Sequence, residues 1–298
     1  MSVGGMSAPL SDAATPRRGF GGPALRRFYR HHLALIGGTI ILLMVLACAI
    51  VPGVLPYTDT FIDIRHRFAP PFTGGHLLGT DQLGRDMLAR LLMAGRISLA
   101  VGFLAMALSM VIGIVVGLVA GYYGGVIGAL FMRFVDAVLC FPTIFLLLAV
   151  SALIRPDVTF IILLIACTAW MEVARIVEAQ IRALRERDFA VAAEALGASD
   201  MRIMLRELLP NAVAPIVVSA TLNVAHAILA EAYISFLGYG IQPPTPSWGN
   251  MLDNAQSYLS SAPWLAILPG GMIALAVTSF NFLGDGFRDA LDPRTDIK

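Results

Sequence analysis

The chain has 298 residues, 57% of them hydrophobic and only 14% charged, with a net charge of +1 and a mean hydropathy of +0.77. A soluble domain carries about 25% charged residues, so the composition excludes an ordinary water-soluble globule, and the balanced charge gives no bulk attraction to nucleic acid. Cys48, Cys140 and Cys167 are scattered through apolar runs without CxxC spacing, which argues against a disulfide framework or a zinc site.

Residues 1–32 read as a polar tail, rich in Gly and Pro, that becomes helical or interfacial near Arg26. The run Leu33–Leu55 is long enough to cross a bilayer, which needs ~20 apolar residues. No cleavage site follows a short apolar core, so this run reads as an uncleaved first transmembrane helix. A long connection, 56–95, follows. In it Gly79-Thr80-Asp81 reads as a turn and helix start, with Thr80 or Asp81 as N-cap. Leu83, Met87, Leu88, Leu91 and Leu92 then share one helical face. Two readings stand here. One is an interfacial amphipathic helix leading into the next span. The other is an outer surface for an external partner, built on Gly79, Thr80, Asp81, Arg85 and Asp86.

Further spans are expected at 97–120, 126–154 (with Pro142 inside), 158–176, 214–237 and 264–283, giving an all-α polytopic membrane protein with six transmembrane helices. Tyr57, Tyr122, Tyr123, Trp170 and Trp264 at the span ends suit interface belts. Arg133 and Asp136 are spaced i, i+3 in the third span and can pair.

Residues 178–211 are the most charged interior segment, with Arg182, Arg185, Arg187, Arg202 and Arg206 among six acids. Lying between two spans, the segment must sit in water. The small residues Ala192, Ala193, Ala195, Gly197 and Ala198 let a helix approach another backbone closely. Gly197 suits a helix end, with Ser199 or Asp200 capping the next helix.

The fifth span contains Asn223, His226 and Glu231. An ionised side chain at mid-helix costs roughly 2.5–3.5 kcal/mol on insertion scales. Glu231 is therefore expected to face protein or a water-filled path, either as a path residue or as a buried, hydrogen-bonded carboxyl at a helix interface. His226 reads as a helix–helix hydrogen-bonding residue. After it, Pro243, Pro244 and Pro246 stiffen a loop in which Trp248, with Trp264, can anchor at the outer interface. The loop reads as a rigid cap, an outer gate, or both.

Arginine placement sets the expected orientation. With the N-terminus inside, the inner segments hold Arg17, Arg18, Arg26, Arg27, Arg30, Arg133, Arg175, Arg182, Arg185, Arg187, Arg202, Arg206, Arg288, Arg294 and Lys298. The outer segments hold only Arg65, Arg67, Arg85, Arg90, Arg96 and Arg155. Both termini and 178–211 are thus expected in the cytoplasm. A P-loop needs Gly-x-x-x-x-Gly-Lys before Ser or Thr. The only lysine is Lys298, so a standard ATP site is absent from this sequence. No HExxH occurs, and Gly197-Ala198-Ser199 lacks the strand–turn–helix context of a nucleophile elbow.

Six blocks carry a resemblance, in order along the chain. They are RRFYRHHLALIGGTIILLMVL from Arg26, HLLGTDQLGRDMLAR from His76, MRFVDAVLCFPTIFLLLAV from Met132, ALGASDMRIMLRELLPN from Ala195, ILAEAYISFLGYGIQPPTPSWGNML from Ile228 and NFLGDGFRDALDPR from Asn281. The ordered set resembles the dipeptide/oligopeptide (and nickel) ABC-importer permeases, specifically their second type of permease subunit. The resemblance implies the type I importer permease fold and a heterodimer with a sibling permease. It also implies two ATP-binding subunits that hold ATP and Mg2+, and an extracytoplasmic substrate-binding protein, in a bacterial cytoplasmic membrane.

Residues 178–211 resemble the family's cytoplasmic coupling loop. The likeness rests on Ala192-Ala193-x-x-x-Gly197, continues through Ala198, Ser199 and Asp200, and ends at Leu209-Pro210. Val191 stands where the family motif is named for a glutamate, and Glu178 where relatives commonly have a basic residue. No catalytic residue, metal site or cofactor is expected in this chain. Peptide import is the leading functional reading, with nickel or another small solute as an alternative substrate. A proton-coupled secondary transporter relaying through Glu231 or Asp136, and a membrane scaffold or receptor, are the competing classes.

Overall fold

The computed structural model describes residues 22–154 and 157–291. Most of the expected tail, together with Arg155, Arg294 and Lys298, lies outside the described residues. The helices are α1 (Gly22–Arg30), α2 (His32–Ile50), α3 (Met87–Tyr123), α4 (Gly125–Leu139), α5 (Thr143–Leu153), α6 (Val158–Arg185) and α7 (Asp188–Ala195). Then come α8 (Asp200–Arg202), a π-helical stretch Ile203–Leu208, α9 (Leu209–Asn211), α10 (Val213–Phe236), α11 (Trp248–Ala255) and α12 (Trp264–Leu291). No strand occurs among the described residues.

Five helices are long and apolar enough to cross a membrane: α2 with its 3-10 extension to Gly53, α3, α6, α10 and α12. The expected third span is not one helix. It is α4 and α5, bent by 77° across residues 140–142, and it makes a sixth span if the pair is taken as one. Pro142 explains the break. Its ring disfavours helical backbone at Phe141 and supplies no N–H to the ladder, and it serves instead as the N-cap residue of α5. Asp136 pairs with Arg175 of α6 rather than with Arg133.

The N-cap of α3 is Asp86, whose Oδ1 accepts from the Ala89 N–H at 2.8 Å, and not Thr80 or Asp81. Residues 87–96, expected as a separate interfacial helix, are the first turns of a continuous 37-residue rod. At 1.5 Å per residue the rod is about 55 Å long, well beyond a bilayer core of about 30 Å. Its apolar face, Met87, Leu91 and Leu92, is buried, while Leu83 lies outside the helix and is exposed.

Without water to drive apolar association, helices in lipid pack through small residues. A Cβ at Gly113, Gly117 or Gly121 of α3 would meet α6 at 2.5–2.7 Å, so the two helices run in parallel with backbones in close approach. The helix α10 runs antiparallel to α3, with Gly102 against Ile228. The next helix, α12, returns along α10 with Gly284 against Thr221, and α2 lies along α12 with Gly37 against Ser279. Phe28 of α1 stacks on Phe287 at 4.9 Å, so both ends of the described chain lie at the end occupied by residues 186–212. Connections 51–86 and 237–263 lie at the opposite end. Large exposed apolar side chains on α2, α4 and α5, such as Leu42, Leu43, Leu130, Phe134 and Phe145, suit lipid or a partner rather than water.

Candidate functional site

The hairpin at residues 186–212 is built by local signals. Gly197 ends α7 with φ +78°, and the Gly197 N–H bonds the Glu194 carbonyl while the Ala198 N–H bonds that of Ala193. This is the Schellman arrangement, which satisfies the last carbonyls of a helix and favours glycine. A Cβ on Gly197 would meet nothing within 4 Å, and Leu196 beside it is 87% exposed. Ala192, Ser199, Asp200 and Pro210 are exposed, Ala193, Ala198 and Leu209 half-buried. The opposite face of the hairpin, Ala190, Ile203, Met204 and Leu208, packs on Leu118, Tyr122, Val177 and Ile181.

Ser199 occupies the N-cap position of α8 but makes no side-chain cap bond. Asp200 makes none either, because it is already helical. Its Oδ1 accepts from the Tyr122 hydroxyl at 2.9 Å. Glu178, expected in the loop, belongs to α6, is buried, and pairs with Arg182. Val191 is exposed on α7.

On α10 the three polar residues diverge. His226 is on the exposed face, with Leu222 and Tyr233. Asn223 turns inward, its Oδ1 accepting from Ser109 at 3.2 Å. Glu231 is 0% exposed. Its Oε2 accepts from Ser98 at 2.9 Å and its Oε1 from Ser235 at 2.7 Å, and the Ser247 side chain is a third hydrogen-bonding neighbour. Each of these hydroxyls also accepts a backbone N–H: Ser98 from Trp248, Ser235 from Ile241, Ser247 from Asn250. One carboxyl thus ties α3, α10 and the start of α11 together.

The expected rigid loop contains α11, signalled in sequence by the Ser247–Asn250 capping box. Trp248 is not an interface anchor. It is fully buried, and its indole N–H donates to the Leu91 carbonyl at 3.1 Å. Trp264 also turns inward, donating to the Thr80 carbonyl at 3.3 Å.

The 56–86 connection folds around buried charge. Asp81 accepts from the backbone N–H groups of Leu83 and Arg85 and from the Arg85 guanidinium at 2.7 Å, with Arg90 at 3.4 Å. Asp86 holds the buried His76 ring at 2.8 Å. Gly79, with φ +78°, presses against the Ala69 carbonyl, and the Thr80 hydroxyl joins His66 and Ala69. The hydrogen bond from the His66 ring holds Asp63 below the ordinary carboxylate range. The space among Asp81, Arg85, Arg90 and Asn254 is ≈ 10 Å³, room for about one water. Among the described residues no group of three or more His, Cys, Asp or Glu is placed to hold a metal ion. Sequence reasoning missed Ser98, Ser109 and His76 and took Tyr122 for an interface-belt residue, whereas it is buried; these roles depend on contacts distant in the chain.

The sequence that builds this bundle and its hairpin matches a known family. Residues 113–297 match the family model described as the binding-protein-dependent transport system inner membrane component. The chain belongs to that permease family. Its residues 19–71 also match the N-terminal TM domain of oligopeptide transport permease C. The permease is 39% identical over 273 residues to a putative peptide transport system permease protein of Brucella abortus, covering 92% of each chain. It is 38% identical over 299 residues to the di/tripeptide transport system permease protein DppC of Pseudomonas aeruginosa, covering 97% of each. A putative peptide permease protein of Brucella suis is 38% identical over 295 residues, covering 98% of this permease and 95% of the relative. The family and the helices long enough to span make the permease a multi-pass inner-membrane protein.

Proposed function

We propose that this permease forms half of the translocation path of an ABC importer for di- and oligopeptides. A sibling permease completes the path, two ATP-binding subunits bind ATP and Mg2+ and hydrolyse the nucleotide, and an extracytoplasmic binding protein delivers the peptide. Hairpin 186–212 is the dock for an ATP-binding subunit and faces the cytoplasm, as do both termini. The exposed stripe of α10 around His226 faces the path or the sibling, while Asn223 and Glu231 hold α10 to α3. The 56–86 and 237–263 connections, including Gly79, Thr80, Asp81, Arg85, Asp86 and Trp248, form the outer cap beneath the binding protein.

The observation that carries the reading is the end-to-end likeness to relatives named for peptide transport, including the N-terminal block. Two features support the docking role. The hairpin exposes Leu196 and small residues beside an open Gly197, and this sequence has no P-loop of its own. The test is Gly197→Arg in the assembled transporter. The six-span bundle and the sibling contact should survive, because nothing packs on Gly197. The ATP-binding subunits should be lost on gel filtration, and uptake with them. Glu186→Gln, on the solvated face, should change little. Retained ATP-binding subunits and normal uptake in Gly197→Arg would show that the dock lies elsewhere.

A further inference from the structure

Movement of a docked hairpin reaches α6 and α10 through the chain itself, and its apolar face also packs on Leu118 and Tyr122 of α3. A side-chain hydrogen bond adds a directed contact to α3 at Tyr122, one residue before the end of that helix. Its ring is buried in the apolar cluster beneath the hairpin. Its hydroxyl donates to Asp200, the first residue of α8, at 2.9 Å. Arg185, in the last turn of α6, donates to the Tyr122 carbonyl, and its guanidinium lies 5.1 Å from the ring centroid. One side chain therefore touches the hairpin, α3 and α6 together.

What lies behind Tyr122 makes this contact consequential. The rod α3 has no proline, and Gly113, Gly117 and Gly121 seat it directly against the α6 backbone. At its far end the same helix presents the Leu91 carbonyl and Ser98, which hold the Trp248 indole and backbone of the opposite connection. A displacement of Asp200 that is passed to Tyr122 is therefore passed to a stiff helix pair gripping α11 at the other end.

We infer that Tyr122 is a positioning residue that transmits movement of the ATPase-docking hairpin to α3. The inference rests on the reading of 186–212 as the dock. Tyr123 also faces Asp200, but its side chain is 45% exposed and lies outside the apolar cluster beneath the hairpin. Tyr122 is 5% exposed, with its ring packed in that cluster.

Tyr122→Phe removes the hydroxyl and keeps the ring, its packing and the carbonyl that Arg185 uses. In the full transporter, reconstituted with its binding protein, the ATP-binding subunits should stay bound. Peptide moved per ATP hydrolysed should fall about tenfold, the equilibrium worth of one hydrogen bond to a charged acceptor. Asp200→Ala should do the same, and the double variant should be no worse than either single one. Asp200→Asn keeps a carbonyl acceptor and should restore most coupling, and Tyr123→Phe should stay close to the parent. A normal transport ratio in Tyr122→Phe, or additive losses in the double variant, would overturn the inference. So would loss of the folded membrane domain in Tyr122→Phe, since the contact would then be structural. If Gly197→Arg releases the ATP-binding subunits while Tyr122→Phe stays coupled, the dock stands and only the transmission claim falls. If Gly197→Arg leaves them bound, the dock reading itself has failed.

Discussion

Gly197 and Glu231 show how much rests on single atoms. At Gly197 the left-handed backbone, not lack of space, makes glycine the favoured residue. Gly197→Ala should cost about 1 kcal/mol of local stability, since L-residues resist that conformation. Hydrogen exchange at the Gly197 and Ala198 amides should quicken about fivefold, and unchanged exchange would mean the turn is not strained by a Cβ. At Glu231 the surrounding hydroxyls already accept a backbone N–H each, so each has a proton to give and needs an acceptor. A carboxylate supplies two accepting oxygens, a carboxamide one, an alkyl group none. Thermal stability in detergent should fall in the order parent, Glu231→Gln, Glu231→Leu. Each stranded hydroxyl should cost about 1–3 kcal/mol. Equal stability of the Leu variant would show that the carboxyl does not hold α11 in place.

Among the elements, α3 and α6 form the structural spine. Gly117→Val would set a branched side chain where a Cβ alone comes within 2.5 Å of the Ala174 carbonyl. The pair should separate, and the amount of folded permease recovered from membranes should drop severalfold, by the logic of overpacking a rigid contact. Normal recovery would mean that α3 and α6 are not in backbone contact. The spans were legible because length and apolarity are local properties, and the hairpin because charge, Ala192-Ala193 and Gly197 stand close together in sequence. Three things were not legible, and each depends on partners far away. The rod α3 begins ten residues before its expected span because Met87, Leu91 and Leu92 bury against α11 and α12 rather than lying at an interface. Trp248 looked like a belt residue until Leu91 and Ser98, some 150 positions earlier, supplied its partners. Asp200 looked like a helix cap, and Tyr122 takes that carboxylate instead.

For the whole molecule, the account requires the two ends of the bundle to face different compartments. In a background lacking Cys48, Cys140 and Cys167, a cysteine at exposed Ser257 should react with an impermeant thiol reagent from outside intact cells. One at exposed Ser199 should react only after the membrane is opened. Reaction of both from outside would contradict the orientation. The central claim is that this chain moves peptide at the expense of ATP hydrolysed by other subunits, and proteoliposomes test it most directly. They would hold the permease with its sibling, its ATP-binding subunits and its binding protein, with labelled di- and tripeptides outside and ATP with Mg2+ within. The account predicts peptide accumulation that requires ATP, the binding protein and this permease, and that persists when the proton gradient is collapsed. Uptake by this chain without ATP-binding subunits, driven by a proton gradient and abolished when it collapses, would contradict it.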